Sequence, residues 1–355
     1  MNPNVDKLRR YLLSFYAADE WSTLLAQAET WGQSQPLAGL KILVATPVYR
    51  NTMAQYMALI AGGARVCVSR RQVLPFDTSV MEMLPGFGIE IVEKKSDDFS
   101  IVLDCAGIHA GLHPALGVSE LTRSGAYRYE RSMLPVFLAD AGRIKKIETV
   151  LGTGESFFRA LEASACGSPE GKSLLVFGYG KVGRGIVLYA LKHGMRVMVA
   201  DLNDKSGELP AGADFLPVPE NGESPAAEAL TRAACSAWCV VTATGRPHAL
   251  RHAMDAEAVC RSQAMLVNMG VEDEYGSSYP AERVKNGKKP FNFTLSEPTS
   301  MRFIETTMAL HNAGALELLI PDLPHGILAP PPDVEERLLA TARRGRLAAE
   351  LALLD

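Results

Sequence analysis

The sequence predicts an α/β fold made of two doubly wound parallel-sheet domains. Three observations lead to this fold class. Short apolar segments alternate with helical segments at the spacing typical of a parallel sheet with helices on its faces. A breaker cluster at residues 167–171 (GSPEG) separates two such stretches. The length of 355 residues also fits about two domains.

The first domain is predicted over residues 1–165, with a flavodoxin-like α/β arrangement. Apolar periodicity places helices at 7–31 and 53–60, strands at 40–45, 65–68, 89–92 and 101–104, and a helix-rich bridge at 155–165. The second domain is predicted over 166–299. Its strands are expected at 173–177, 196–200, 239–243 and 265–268, with a helix at 186–193.

After residue 299 the chain is predicted to be helical at 301–319 and 334–354, with a proline-rich loop at 321–332. We expect residues 300–355 to complete the first domain.

Composition limits the classes of protein that this chain can represent. Hydrophobic residues make up 47% and charged residues 21%, which excludes wholesale disorder. The net charge is −4 without a basic block, so nucleic acid is not an expected partner. No apolar run reaches the ~18 residues of a membrane span, and the N-terminus lacks a signal core. We expect a cytoplasmic protein without a membrane partner.

The six cysteines are scattered, and no pair has the Cys-x-x-Cys spacing of zinc or redox sites. We expect reduced, mostly buried thiols.

The strongest local motif is Gly178-x-Gly180-x-x-Gly183, between an apolar segment and a helical one. There the first glycine allows a tight turn, the second allows a pyrophosphate to approach, and the third allows close helix–strand packing. The helix start, with Lys181 and Val182, presents amide hydrogens to phosphates. The motif predicts a Rossmann-type dinucleotide site, and a glycine turn without a ligand is the alternative.

Asp201 ends the next predicted strand, about 20 residues after the motif. A carboxylate there accepts hydrogen bonds from the ribose hydroxyls and repels a 2′-phosphate, so NAD is expected rather than NADP. Two later strand ends carry Thr242, Thr244 and Asn268. These residues could line the nicotinamide side of the site, since ligands bind beyond the carboxyl ends of strands. Ordinary turn chemistry explains them equally well.

Several motifs, taken in order, resemble those of S-adenosylhomocysteine hydrolases. Segments 178–185, 242–245 and 268–270 resemble that family's NAD domain. Upstream segments resemble motifs of its substrate half, namely 117–125 (GVSELTRSG), 151–156 (LGTGES), and 51–52 together with 63–66. The chain is identified as a divergent member of this superfamily.

The resemblance implies a substrate domain, an NAD domain and tightly held NAD. In the family the cofactor oxidises a ribose 3′-hydroxyl, which acidifies the C4′ hydrogen and permits elimination of homocysteine before water adds. The resemblance also implies that Thr122, Arg123 and Ser124 contact the cofactor and that Asn51 and Thr52 contact the substrate. It further implies a homo-oligomer, a dimer or tetramer.

Most of the family's acid–base residues are replaced. No histidine stands within 47–52 (PVYRNT), and the family's Asp-Asp-Gly-Gly becomes Asp104-Cys-Ala-Gly. Leu121 replaces the second glutamate of its Glu-Glu pair, and Val271 replaces a histidine. Glu297 replaces the imidazole of its Gly-His-Pro-Ser. Authentic adenosylhomocysteine hydrolysis is therefore not expected.

The charged residues that remain are candidates for new chemistry. Lys145 or Lys146 could deprotonate a hydroxyl if its pKa were lowered, with Glu148 orienting the ammonium group. A solvated charge cluster is the alternative. Asp104 and Glu120 are the carboxylates kept from the family's array.

His109 and His113 follow the strand that ends at Asp104 and could act as acid or base, or bind an anion. A metal site there is disfavoured, because Gly111 and Pro114 interrupt a regular helix. No metal is expected.

Three charged residues lie near the start of the helix predicted at 301–319. We expect them to face the substrate: Glu297, Arg302 and Glu305. Arg123 could bind an anionic substrate group or form an ion pair with Glu120.

Two hypotheses follow for the function. The first is an NAD-dependent enzyme that abstracts hydride from a secondary hydroxyl of a small molecule such as a nucleoside, thioether or hydroxy acid. Such an enzyme would be a dehydrogenase or a redox-assisted lyase or hydrolase. The alternative is a catalytically silent NAD-binding regulatory protein.

Overall fold

The chain folds into two compact units, each built around its own parallel sheet. The computed structural model describes residues 2–70, 73–93, 98–219, 224–352 and 354. The first unit comprises Met1–Glu148 and Ser300–Asp355, and the second comprises Thr149–Thr299. The predicted α/β class with two parallel sheets is confirmed.

The elements alternate along the chain. The strands are β1 (Lys41–Ala45), β2 (Arg65–Ser69), β3 (Glu90–Val92), β4 (Ile101–Asp104), β5 (Gly117–Glu120), β6 (Pro135–Leu138), β7 (Ser173–Phe177), β8 (Arg196–Asp201), β9 (Ala213–Pro217), β10 (Cys239–Thr242), β11 (Met265–Asn268) and β12 (Gly326–Leu328). The helices are α1 (Pro3–Leu13), α2 (Ser22–Ser34), α3 (Met53–Ala61), α4 (Thr78–Met83), α5 (Arg123–Tyr129), α6 (Thr153–Ala163), α7 (Lys181–Lys192), α8 (Pro225–Ser236), α9 (Ala256–Arg261), α10 (Met301–Glu317), α11 (Pro332–Ala342) and α12 (Ala348–Leu351). A π-helical turn spans Ile147–Gly152.

The sheet of the first unit has the order β12-β6-β5-β4-β1-β2-β3, with parallel neighbours. The flavodoxin-like arrangement that we expected is wrong, because two strands rather than one lie beyond β1 on the β2 side. The strand order reverses between β1 and β4, whose last residues, Ala45 and Asp104, are register partners. Ligands of open α/β sheets bind at such a reversal, beyond the carboxyl ends of the strands.

The sheet of the second unit has the order β11-β10-β7-β8-β9. Successive residues of β7 point to opposite faces. Leu174 and Val176 share an apolar cluster with α6 and α7, whereas Leu175 and Phe177 share another with α8 and α9. A strand that is apolar on both faces is typical of a parallel sheet with helices on both sides.

Helix α10 returns the chain to the first unit and contacts α2 through a buried carboxyl group. Glu305 accepts hydrogen bonds from the Thr23 hydroxyl at 2.8 Å and the Leu24 amide at 3.0 Å. The N-cap residue of α2 supplies no side-chain hydrogen bond, so Glu305 caps this helix from another element. Glu305 is therefore buried against α2, and the expectation that it faces the substrate is wrong.

A buried histidine also fixes α10 to β5 and α3. His311 Nε2 donates to the Ser119 carbonyl at 2.7 Å, and its Nδ1 accepts from the Gln55 amide group at 3.1 Å. This pairing assigns the neutral Nε2–H tautomer. Burial lowers the pKa of His311 to about 4.

Several predicted element boundaries are wrong. The helix expected over 7–31 is split into α1 and α2, because residues 14–21 turn the chain and leave Phe15 half exposed. The predicted loop at 321–332 contains β12, and the last helix is interrupted between α11 and α12. Strands β5, β6 and β9 are additional to the predicted ones. The units divide after residue 148 rather than 165, because α6 packs against α7 in the second unit.

Among the described residues, every helix is too short or too polar to traverse a lipid bilayer.

Candidate functional site

The glycine loop joins β7 to α7 as its motif predicts. Gly178 has a φ of +91°, and its amide donates to the Ala200 carbonyl at 2.8 Å. A Cβ on Gly183 would overlap the Gly178 carbonyl oxygen, so only glycine lets α7 lie this close to the loop. Apart from neighbouring residues in the chain, no described atom lies within 4 Å of where a Cβ of Gly180 would be. This part of the loop is open to a ligand.

Helix α7 begins directly after this open position. Its N-cap, Gly180, has no side chain to cover the helix start, where Lys181 and Val182 form the first turn. The amide groups at such a helix start attract phosphate. The loop and α7 therefore fit a diphosphate in both shape and polarity.

Asp201 ends β8 and contacts the glycine loop. Its Oδ2 accepts a hydrogen bond from the Tyr179 amide at 2.9 Å, and its Oδ1 accepts one from the Asn203 amide at 3.0 Å. These bonds hold the carboxyl group beside the loop, where the Rossmann motif has the acidic residue that binds ribose hydroxyls. The residues present fit the adenosine diphosphate half of a dinucleotide.

The side chain of Asn268 is bonded entirely within the second unit. Its Nδ2 donates to the carbonyls of Gly270, Glu272 and Lys288 at 3.1, 2.8 and 2.6 Å. Its Oδ1 accepts from the Thr242 hydroxyl at 2.9 Å and from the Gly270 amide at 3.0 Å. Hydrogen bonds that stabilise the turn and loop after β11 therefore account for the polar side chains of Asn268 and Thr242 better than the predicted contact with nicotinamide.

Glu274 is a buried carboxyl group that no sequence motif indicated. It accepts hydrogen bonds from the amides of Thr244 at 2.8 Å and Gly245 at 2.7 Å, directly after β10. Burial raises the pKa of Glu274. The Thr244 hydroxyl accepts from the Arg246 amide at 3.1 Å, so this predicted cofactor residue also stabilises its own turn.

In the first unit, polar side chains collect at the carboxyl ends of β4 and β5. Asp104 Oδ2 accepts from the Tyr129 hydroxyl at 2.6 Å and the His109 amide at 2.9 Å, and its Oδ1 accepts from the Cys105 amide at 2.9 Å. Burial, with the nearby charge of Glu120, raises the pKa of Asp104 to about 7. No sequence motif indicated Tyr129, which lies 25 residues from Asp104.

Glu120 is the register partner of Asp104 and fixes the loop after β4. Its carboxyl oxygens accept from the amides of Ala106 and Gly107, both at 3.1 Å, and from the amide and hydroxyl of Thr122, both at 2.7 Å. Burial raises the pKa of Glu120. Glu120 thus holds two loops together, and the Thr122 hydroxyl is engaged there.

Arg123 and Ser124, the other predicted cofactor contacts of this unit, are exposed at the start of α5. The Arg123 guanidinium lies 5.6 Å from the centroid of the Tyr127 ring. The alternative of an Arg123–Glu120 ion pair is wrong, because amide and hydroxyl groups surround the Glu120 carboxyl instead.

Lys145 is buried, and its Nζ lies 2.8 Å from Glu148 Oε2. Burial lowers the pKa of Lys145, but the charge and hydrogen bond of Glu148 and the nearby Asp140 outweigh it, so the net pKa is raised. Glu148 is thus in position to orient Lys145, but the groups around Lys145 do not give the lowered pKa on which its role as a base depended. Lys146 is exposed.

The two candidate histidines lie in different surroundings. His109 is buried, with its Nε2 2.8 Å from the Ser69 hydroxyl, whereas His113 is exposed. Within the described ranges, no three His, Cys, Asp or Glu side chains are grouped closely enough to hold a metal ion.

The predicted substrate residues belong to both units. Asn51 and Thr52 are buried before α3, where the Thr52 hydroxyl donates to the Tyr49 carbonyl at 2.9 Å. Arg302 belongs to the first unit, and its Nη1 lies 3.2 Å from Glu350 Oε1. Glu297 belongs to the second unit.

The fold and the glycine loop define a two-unit α/β protein whose second unit is of the Rossmann type. No family model matches the chain. The chain is 26% identical over 207 residues to an adenosylhomocysteinase of Thermotoga maritima, covering 50% of this chain and 51% of that one. It is 24% identical over 287 residues to an adenosylhomocysteinase of Gloeobacter violaceus, covering 72% and 64%. These matches fit a divergent member of the adenosylhomocysteinase superfamily, as the motifs predicted.

The chain spans between about half and two thirds of the length of these two relatives. Among solved structures, a dipicolinate synthase chain from Bacillus halodurans is similar, with a TM-score of 0.49 and 11% identity. That match covers 80% of this chain and 99% of the other.

Proposed function

We propose that the second unit binds NAD. The observation that carries this proposal is the glycine loop itself, open at Gly180 and joined to Asp201 through the Tyr179 amide. The Asp201 carboxylate suits free ribose hydroxyls and opposes a 2′-phosphate. The similarity to adenosylhomocysteinases supports the same cofactor.

We further propose that the protein is an enzyme that oxidises a secondary hydroxyl of a small molecule, with the first unit binding that molecule. When bound, NAD supplies a hydride acceptor. Oxidation also releases the hydroxyl proton, and Asp104 would accept it, since a pKa of about 7 leaves this carboxyl group partly ionised at neutral pH, whereas Lys145 keeps its own proton. Lys145 would stabilise an oxygen that gains negative charge, and Glu148 would keep the ammonium group in place.

This assignment is tested in two steps with the purified protein. Native mass spectrometry and calorimetry with NAD test cofactor binding, and the protein should retain NAD or bind it one to one. The loaded protein is then offered nucleosides, thioether nucleosides and hydroxy acids, and reduced nicotinamide is followed by its near-ultraviolet absorbance. Failure to bind NAD would reject the whole proposal, and failure to reduce it with any member of the panel would reject the enzymatic part.

A catalytically silent NAD-binding regulator is the second candidate. The observation that favours it is the internal bonding of Asp104 and Glu120, whose carboxyl oxygens all accept bonds from their own unit. A regulator would keep its cellular role in Lys145→Met and His109→Ala variants that still fold. Loss of that role in both variants would exclude it.

A further inference from the structure

Three charged side chains form a cluster on the second unit. Arg184 Nη2 pairs with Glu208 Oε2, and Lys205 Nζ lies 2.8 Å from Glu208 Oε1. Each carboxyl oxygen of Glu208 therefore holds one cation. Lys205 and then Arg184 lower the pKa of Glu208, which keeps this carboxyl group ionised at neutral pH.

This cluster is linked to Asp201 from two directions. Lys205 follows Asp201 by four residues in the segment after β8. Arg184 lies on α7 with its guanidinium 4.6 Å from the centroid of the Tyr179 ring, and the Tyr179 amide bonds to Asp201. The Tyr179 hydroxyl also donates to the Glu208 carbonyl at 3.4 Å. Both cations are thus connected to Asp201, Arg184 through Tyr179 and Lys205 through the segment after β8.

We propose that Glu208 is a second determinant of the preference for NAD over NADP, acting together with Asp201. The inference rests on the proposed function, namely that the second unit binds NAD. A 2′-phosphate needs cations near the ribose, and a guanidinium with an ammonium group is a suitable pair. Glu208 pairs with both cations and so keeps them from binding a 2′-phosphate, although one carboxylate offsets only one of the two positive charges.

Glu208 can be replaced without unfolding the second unit. The side chains of Arg184, Lys205 and Glu208 are 42%, 24% and 43% exposed. Ion pairs with this degree of exposure contribute little to stability because water and salt screen them. A change in ligand binding can therefore be measured on a folded protein.

The test is calorimetric binding of NAD and NADP to the full chain. Glu208→Gln should bind NADP at least about fivefold more tightly than wild type, and NAD within about twofold, since removing one charge frees two phosphate partners. Adding Asp201→Ser should reverse the preference between the two dinucleotides.

Control variants test whether the two cations are the groups that bind the phosphate. The gain in NADP affinity should disappear in Glu208→Gln/Lys205→Met and Glu208→Gln/Arg184→Met, and it should shrink in high salt. Glu257→Gln, which breaks an exposed ion pair with Arg261 in the same unit, is the matched control and should change neither affinity.

Two outcomes would overturn the inference alone while NAD still binds. One is unchanged NADP affinity in Glu208→Gln. The other is a gain that survives both the Lys205 and the Arg184 substitutions, which would show that the cations are not the phosphate partners. If wild-type protein bound neither dinucleotide, the proposed function would fail and this inference with it.

Discussion

The hydroxyl of Tyr129 lies 2.6 Å from Asp104 Oδ2, and both residues are buried at the carboxyl edge of the first sheet. The hydroxyl donates to the carboxyl group and so favours its ionised form, whereas burial and Glu120 favour the protonated form. The balance leaves the pKa of Asp104 at about 7, so its charge changes near neutral pH.

Replacing Tyr129 by Phe should destabilise the first unit more at pH 8 than at pH 6. The ionised carboxylate at pH 8 loses a buried donor, at a cost of about 1–3 kcal/mol, whereas the protonated form at pH 6 loses less. Urea unfolding at the two pH values measures the difference. Tyr127→Phe, an exposed change on the same helix, should have no such effect, and an equal loss at both pH values would contradict the role assigned to Asp104.

Glu305→Gln should alter the pH dependence of stability. The pKa of Glu305 is raised to about 7 from the ordinary 4.5, so the folded state holds a proton that the unfolded state loses between these pH values. Its stabilising contribution is therefore complete below pH 4.5 and is lost as the pH rises through 7, by about 3 kcal/mol.

From pH 5 to pH 8, the unfolding free energy of wild type should accordingly fall relative to that of Glu305→Gln, because only wild type carries a group that titrates at this position. Glu29→Gln, on the exposed side of α2, provides the comparison. A difference that stays constant over this range would show that Glu305 does not titrate as described.

Lys145→Met should strongly reduce turnover but leave NAD binding intact, if the proposed function is correct. The buried ammonium group belongs to the first unit, and the glycine loop belongs to the second. We expect turnover to fall by about 10²-fold or more, as for loss of an acid–base or electrostatic group, with NAD affinity within about twofold. Lys146→Met is the matched control, since Lys146 is exposed. Full activity of the Lys145 variant would rule out this residue.

Asn268→Asp should destabilise the second unit strongly. The substitution replaces an amide that donates to three carbonyls by a carboxyl oxygen that repels them. The expected loss is about 3 kcal/mol or more, since several buried groups lose their partners together. Chemical unfolding measures it, with the exposed Asn203→Asp as the control. A loss below that of the control would contradict the structural role of Asn268.

The dinucleotide motif could be predicted from the sequence because its parts are local. Gly178, Gly180 and Gly183 lie within six residues, and Asp201 follows at the spacing set by one helix and one strand. The packing of β7 between two helical layers follows in the same way from its apolar residues.

The polar contacts could not be predicted, because each joins distant parts of the chain. Glu305 bonds to Thr23 across 282 residues, and Asn268 bonds to Lys288 across 20. A sequence pattern shows that a side chain is polar but not which group it will meet. For this reason the pattern suggests a substrate contact for Glu305, leaves a nicotinamide contact and turn chemistry equally open for Asn268, and does not single out Glu274 or Tyr129.

The first unit is built from two chain segments that the second unit separates in the sequence, and this has a consequence for synthesis on the ribosome. Residues 149–299 form a unit of their own and can fold as soon as they have emerged. The earlier residues 1–148 must wait for α10, because Glu305 and His311 complete their buried polar contacts. Until then the nascent amino-terminal segment exposes apolar surface, which makes it the part of the chain that chaperones would be expected to protect.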